Sequence, residues 1–349
     1  ITLGPVRLNK FSNWLMHFIL LLFEKATRII TKKKYNKIHS HTLSIFHGRF
    51  FKKKINENRI DILFAPAAST QIAHLKTNKP ICYYSDATVS IMLDYYNYFS
   101  GFSSFSKNES NQIEQRAINR SKTQVFSSKW AFDSAKRDYN AKNPFLVKMG
   151  ANIDVYPTED STMKKYDTVI NILFIGVDWE RKGGPLILET IKKLDLKGYD
   201  IQLTVVGCNP PHNHPKMTII PFLDKNKEHD LLIYTELFSK SHLFFSPTRA
   251  DCTPMVFCEA NAFGIPVIST DTGGVSSVIE NEVNGFLLPI SATSDDYFKI
   301  IENLINDKKK FERLAKTSRK KFLTELNWNQ WGKEMKQILM LTHACRNGG

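Results

Sequence analysis

No stretch of this sequence stays apolar for the roughly twenty residues that a membrane-spanning helix needs. The nearest candidate, Trp14 to Phe23, is about half that length and is closed off by Lys10 and Glu24. Cysteine is sparse: the five, at 82, 208, 252, 258 and 345, show neither metal-ligand spacing nor a disulfide framework. A reducing cytoplasm is the expected home. Cys252 and Cys258 have no His beside them and read as small apolar packers. His212 and His214, in a polar turn between prolines, lack a third ligand, so no metal site is expected. Internal repeats and long low-complexity tracts are absent as well.

Acid is the other shortage. Asp and Glu number 34 against 48 Lys and Arg, a formal net charge of +14. The imbalance is local: residues 1–60 hold thirteen cations against Glu24 and Glu57, so this sixth of the chain supplies +11. Lys32 to Lys34 and Lys52 to Lys54 are its densest points, and the apolar run at Trp14 lies beside them. One reading is shallow attachment to the anionic inner face of a membrane, each nearby cation contributing about 1 kcal/mol before screening. The other is a buried core helix with a solvated basic face. Nucleic acid is not an expected partner, because no recognition motif accompanies the charge.

What the chain does have is length and alternation. At 349 residues it exceeds what one core usually organises. Strand and helix signals alternate throughout, which favours parallel sheets covered by helices. Strands are expected at Arg59 to Ala65, Pro80 to Tyr84 and Thr123 to Phe126. Others are expected at Ile172 to Ile175, Ile201 to Val206, His242 to Phe245 and Pro266 to Ile268. The polar stretch from about 152 to 166 reads as a linker. The domains expected are thus 1–160 and 161–330, with 331–349 as a final helical segment.

Two places concentrate chemistry. The strand signal ending at Gly176 runs through Val177-Asp-Trp-Glu-Arg181-Lys182-Gly-Gly184 into an amphipathic helix opened by Pro185. The loop therefore sits at the carboxyl end of a strand, with glycines for close backbone approach and two cations for a diphosphate. Arg181 offers a bidentate fork and Lys182 a point charge. The second place is Asp251-Cys-Thr-Pro-Met-Val-Phe-Cys-Glu259, two carboxylates eight residues apart around a helix start. Thr253 is the expected N-cap, Pro254 the first helical residue, and Gly264 with Pro266 the stop. The leading N–H groups of Met255 and Val256 suit a phosphate oxygen. Glu259, one turn on, suits two neighbouring ribose hydroxyls. The alternative for the pair alone is a turn support and a solvated helix residue.

Taken together these segments, with Ala260 to Gly274 and Asn284 to Pro289, resemble a retaining glycosyltransferase of family 4 with the GT-B fold. The resemblance covers most of residues 60 to 335. It implies an α/β architecture of two Rossmann-like domains facing across a cleft, an acceptor side first and a nucleotide-sugar side second, the last helix packing back on the first domain. It implies a UDP- or GDP-sugar donor as substrate, no cofactor and no metal, and a saccharide or lipid-linked acceptor in cell-envelope glycan synthesis. The family motif is usually Glu-x7-Glu, with the first acid near the donor sugar and the second on the ribose, and this chain has Asp251 in the first place. Many relatives carry Arg where this chain has Val177, which passes the diphosphate role to Arg181 and Lys182. By the same resemblance Gly176, Gly273 and Gly274 line the donor, Phe222 and Leu223 meet the base through their backbone, and Asp86 meets acceptor or sugar. For Asp86 an N-cap or turn role is the alternative. Front-face attack by the acceptor hydroxyl is the mechanism usually described, so no protein nucleophile is needed. Family members ordinarily begin with one more strand and a glycine-rich loop, which this sequence lacks at its start. Competing readings are a nucleotide-sugar-binding protein without transfer, an epimerase or phosphorylase on the same fold, and a basic peripheral membrane adaptor.

Overall fold

The computed structural model describes residues 1–154, 156–157 and 169–344. Most of the expected linker therefore lies outside the described residues. Contacts divide the chain into two compact units, residues 1–147 together with those from 333 on, and residues 148–332. The boundary lies ahead of 160 for a packing reason. Ala151 N donates to Leu326 O at 2.9 Å, and Arg319 Nη2 donates to Pro157 O at 2.7 Å, so the segment from 148 is bound into the second unit. Residues 333–344 of the last helix belong with the first unit, where Thr342 Oγ1 and Thr123 Oγ1 are 2.7 Å apart.

In the first unit, helices α1 (Lys10–Thr31) and α2 (His41–Asn56) precede β1 (Leu63–Pro66), α3 (Ser69–Ile72), β2 (Ile81–Ser85) and α4 (Val89–Met92). Then come α5 (Ser104–Arg120), β3 (Thr123–Phe126), α6 (Lys129–Tyr139) and β4 (Pro144–Leu146). The four strands are parallel in the order β1-β2-β3-β4, with Ala65 opposite Tyr83 and Val125 opposite Phe145. Helix starts are written locally: the Asn9, Ser40, Ser103 and Ser128 side chains each accept a first-turn N–H. Ile81, Tyr83, Ile113, Ala117 and Phe126 form the core between sheet and helices.

The second unit runs β5 (Ile170–Ile175), α7 (Gly184–Leu196), β6 (Ile201–Val206), β7 (Met217–Ile220), α8 (Glu228–Lys240) and β8 (Leu243–Ser246). It continues through α9 (Met255–Ala262), β9 (Val267–Thr270), β10 (Gly285–Leu288), α10 (Ser294–Asn306) and α11 (Lys308–Thr324), before α12 (Trp328–Ala344) leads out of it. Its six strands are all parallel, in the order β10-β9-β8-β5-β6-β7. Renumbered from β5, that is the 3-2-1-4-5-6 order of the Rossmann fold. Alternate residues feed two cores: Ile172, Phe174, Leu203 and Phe245 pack on α7 and α10, while Leu173, Val206 and Phe244 pack with Phe238, Phe257 and Phe263. A sheet buried on both faces explains why its strands read as continuous apolar runs. The chain proceeds from β5 outward to β7, then returns to place β8 on the other side of β5. That reversal opens a crevice at the carboxyl ends of β5 and β8, where ligands of such sheets bind.

Candidate active site

The loop after β5 and the loop after β8 meet at this reversal, and backbone joins them. Arg249 N donates to Arg181 O at 2.7 Å, and Thr248 Oγ1 donates to Arg181 O at 3.3 Å. Gly183 and Gly184 serve this junction. Gly183 has φ 81°, a conformation that glycine adopts without strain, and a Cβ there would run into the Pro247 carbonyl. A Cβ at Gly184 would strike the Trp179 ring. Gly176, at the end of β5, donates to Val206 O at 3.0 Å, and the Lys182 side chain lies over it.

The junction brings together two of the expected residues. Lys182 Nζ lies 2.5 Å from Asp251 Oδ2, and both side chains are 12% exposed. The lysine therefore holds the carboxylate where the sequence reading assigned the two separate ligand contacts. Arg181 is also engaged by the protein. Its Nη1 donates to Ala250 O at 2.8 Å, and its Nε stands 3.4 Å from Asp178 Oδ2. One Nη1 donor of the fork thus fastens the β5 loop to the β8 loop, which fixes where the guanidinium sits. The turn after β9 closes onto the same place, with Gly273 at φ 55° and Gly274 N donating to Asp251 O at 2.9 Å.

Helix α9 starts one residue later than expected. Pro254 is its N-cap, with φ −77° and ψ 86°, and no side chain caps it. Thr253 is not the cap; its hydroxyl donates to Cys252 O at 2.8 Å. The first helical residues, Met255 and Val256, carry the N–H groups that a helix cannot satisfy internally. Glu259 is not a solvated helix residue. It is 2% exposed, and both carboxylate oxygens are engaged. Lys225 Nζ approaches Oε1 at 2.8 Å and also donates to Asn152 O at 3.1 Å. The Tyr234 hydroxyl donates to Oε2. Burial and the neighbouring Glu259 charge both push the Tyr234 phenol well above its usual range, so it stays a donor. The same two causes, burial first, push the Cys258 thiol up and keep it an inert packer.

Lys225 and Tyr234 had no signal in the sequence that singled them out, since each meets Glu259 through the fold. Phe222 and Leu223 follow β7: Phe222 is exposed, and Leu223 packs against the core that contains Phe257. Asp86 stands in the turn at the carboxyl end of β2, in the first unit, ahead of Thr88, which caps α4 by position without a side-chain bond. Among the described residues, no group of three His, Cys, Asp or Glu is placed to hold a metal ion. His214 instead faces Asp195 at 3.7 Å.

Residues 157–321 match the family model described as "Glycosyl transferases group 1". The capsular polysaccharide biosynthesis glycosyltransferase CapM of Staphylococcus aureus is 26% identical over 182 residues, which is 48% of this chain and 47% of CapM. The chain thus spans about half the length of that relative. Among solved structures, sucrose-phosphate synthase from Thermosynechococcus elongatus superposes with a TM-score of 0.66 at 18% identity, over 87% of this chain and 79% of that one. HepE from Anabaena, solved with UDP and glucose, superposes with a TM-score of 0.62 at 15% identity, over 84% and 80% of the two chains. The fold is that of these GT-B proteins.

Proposed function

Residues 157–321 belong to the glycosyl transferases group 1 family, and from that premise we propose that the chain is a retaining glycosyltransferase. It takes a sugar from a UDP- or GDP-linked donor and passes it to a hydroxyl of a saccharide or lipid-linked acceptor, in cell-envelope glycan synthesis. One observation carries the reading: two buried carboxylates, Asp251 and Glu259, each hold a lysine at the reversal point of a parallel sheet. Charge buried at that edge costs free energy in the empty protein, and a bound nucleotide sugar gives it a use.

In this reading Glu259 takes the ribose. Tyr234 holds Oε2 in place, so the ribose hydroxyls compete with Lys225 for Oε1. Lys182 has three ammonium donors, one spent on Asp251, and directs the others at the diphosphate. Arg181, held in place by its bond to Ala250 O, directs its remaining donors at the diphosphate, and the Met255 and Val256 N–H groups add the positive end of α9. Gly273 and Gly274 let the β9 turn come close to the sugar, and the backbone of Phe222 and Leu223 meets the base. Such preorganised charge stabilises the departing diphosphate as an oxyanion hole does. The bond from the anomeric carbon to the phosphate oxygen breaks, the bond to the acceptor oxygen forms on the same face, and the acceptor proton leaves with the phosphate. Asp251 contacts the donor sugar. No cofactor enters the reaction.

The test is thermal unfolding of the purified chain with UDP, GDP, ADP and their sugar conjugates. At a hundred times its dissociation constant a nucleotide should stabilise its unit by about 2.7 kcal/mol. A shift with one nucleotide, absent in Glu259→Ala, supports the donor site. Release of the nucleoside diphosphate from the conjugate when saccharide acceptors are added supports transfer. A cooperatively folding sample that responds to none of them refutes the reading.

A further inference from the structure

Helix α1 packs on the rest of the first unit by one narrow face and turns an apolar face outward. Its buried residues are Met16, Leu20 and Thr27, which share one side at about 100° per residue. Met16 and Leu20 pack with Tyr35, Leu8, Leu43 and Phe46, from α2 and the flanking loops. Directly opposite, within about 40° on the same wheel, stand Phe11, Trp14, Phe18, Leu22 and Ile29. Phe11 is 71% exposed, Trp14 60% and Ile29 80%. Trp14 and Phe18 stack on each other with ring centroids 5.4 Å apart, forming a continuous aromatic surface. An isolated exposed apolar residue needs no explanation, but a stripe along a 22-residue helix does.

Cations frame the stripe. Lys25 lies within it, Lys10 and Arg28 border it, and Lys32 to Lys34 follow the helix. The helix's one acid, Glu24, is taken by Lys37 at 3.0 Å. No described helix is long and apolar enough to cross a membrane. An apolar face rimmed by cations suits a helix lying in the interface of an anionic bilayer. We propose that α1 docks the chain on an anionic lipid leaflet, with the Phe11–Trp14–Phe18 face inserted among acyl chains and the cations at the phosphates. A second copy fits less well, because pairing two such helices would bring together segments that each carry +11 over residues 1–60. The inference is independent of the donor site.

The experiment is co-sedimentation of the full chain with vesicles of phosphatidylcholine alone and of phosphatidylcholine with phosphatidylglycerol. Binding is expected to the anionic vesicles and to weaken with salt. Trp14→Ser with Phe18→Ser should lower partitioning by more than about tenfold. Lys25→Glu with Arg28→Glu should lower it by at least about tenfold. All four positions are solvent-facing, so unchanged thermal unfolding will show that the variants fold. Three results would overturn the proposal: no binding to either vesicle, anionic binding that survives Trp14→Ser/Phe18→Ser, or a concentration-dependent dimer lost in that variant while vesicles are ignored.

Discussion

Buried charge decides behaviour at the scale of single residues. Lys182 and Asp251 offset each other's charge, so removing the lysine takes a cation away from a buried carboxylate. Lys182→Met should destabilise the second unit by about 2 kcal/mol, and Lys182→Met/Asp251→Asn should recover most of that loss in urea unfolding. Tyr234→Phe leaves Oε2 of Glu259 without its phenol donor and should cost on the order of 1 to 2 kcal/mol. In the first unit, burial raises the Glu114 carboxyl to about 7, with the Tyr83 hydroxyl donating to it at 3.0 Å. Because the folded state holds this proton more tightly than the unfolded chain, its contribution is complete below the ordinary carboxylate value and is lost as pH rises toward 7. His39 and His74, lowered to about 4 by burial, have the opposite slope and lose stability as pH falls. The difference between wild type and Glu114→Gln isolates the carboxyl. That difference should change by at most on the order of 3 kcal/mol between about pH 4.5 and pH 7, and a flat difference curve would refute the assignment.

At the scale of elements, the strands legible in the sequence and those that were not differ in position. Thr123 to Phe126, Ile170 to Ile175, Ile201 to Val206 and Leu243 to Ser246 are interior strands, apolar because both faces are covered. Pro144–Leu146, Met217–Ile220 and Gly285–Leu288 were not among the expected strands, and all three lie at sheet edges. An edge strand is held by one neighbour and needs no long apolar run, so its composition resembles a loop. Arg59 to Ala65 was read too long, since the edge strand β1 starts at Leu63. The β5 loop shows the converse. Its spacing suggests glycines that make room for a ligand, and Gly183 and Gly184 also admit Pro247 and Trp179. Gly183→Ala should therefore cost more than about 2 kcal/mol in denaturant unfolding. It should also weaken nucleotide binding, by pushing the β5 loop off the β8 loop and Lys182 off Asp251.

For the molecule as a whole, two units with separate cores make a prediction about where a ligand is felt. The nucleoside diphosphate that shifts the unfolding curve should slow hydrogen exchange in β5, β8 and the first turn of α9. Exchange in β1, β2 and β3 should stay unchanged. Equal slowing in both sheets would mean that binding is not confined to the second unit.

The sequence by itself determined the alternation of strand and helix, the loop that follows the strand ending at Gly176, a helix start after Asp251 to within one residue, and the basic first sixth of the chain. These follow from local rules: period, capping residues and charge counts within a few positions. The tertiary structure alone decided which charges meet, because Lys182 and Asp251 are 69 residues apart and Lys225 and Glu259 are 34 apart. It also decided how α1 uses its two faces. A helix that is apolar most of the way round has no local signal for which side packs, and here the neighbours cover Met16 and Leu20 and leave Trp14 and Phe18 to the solvent.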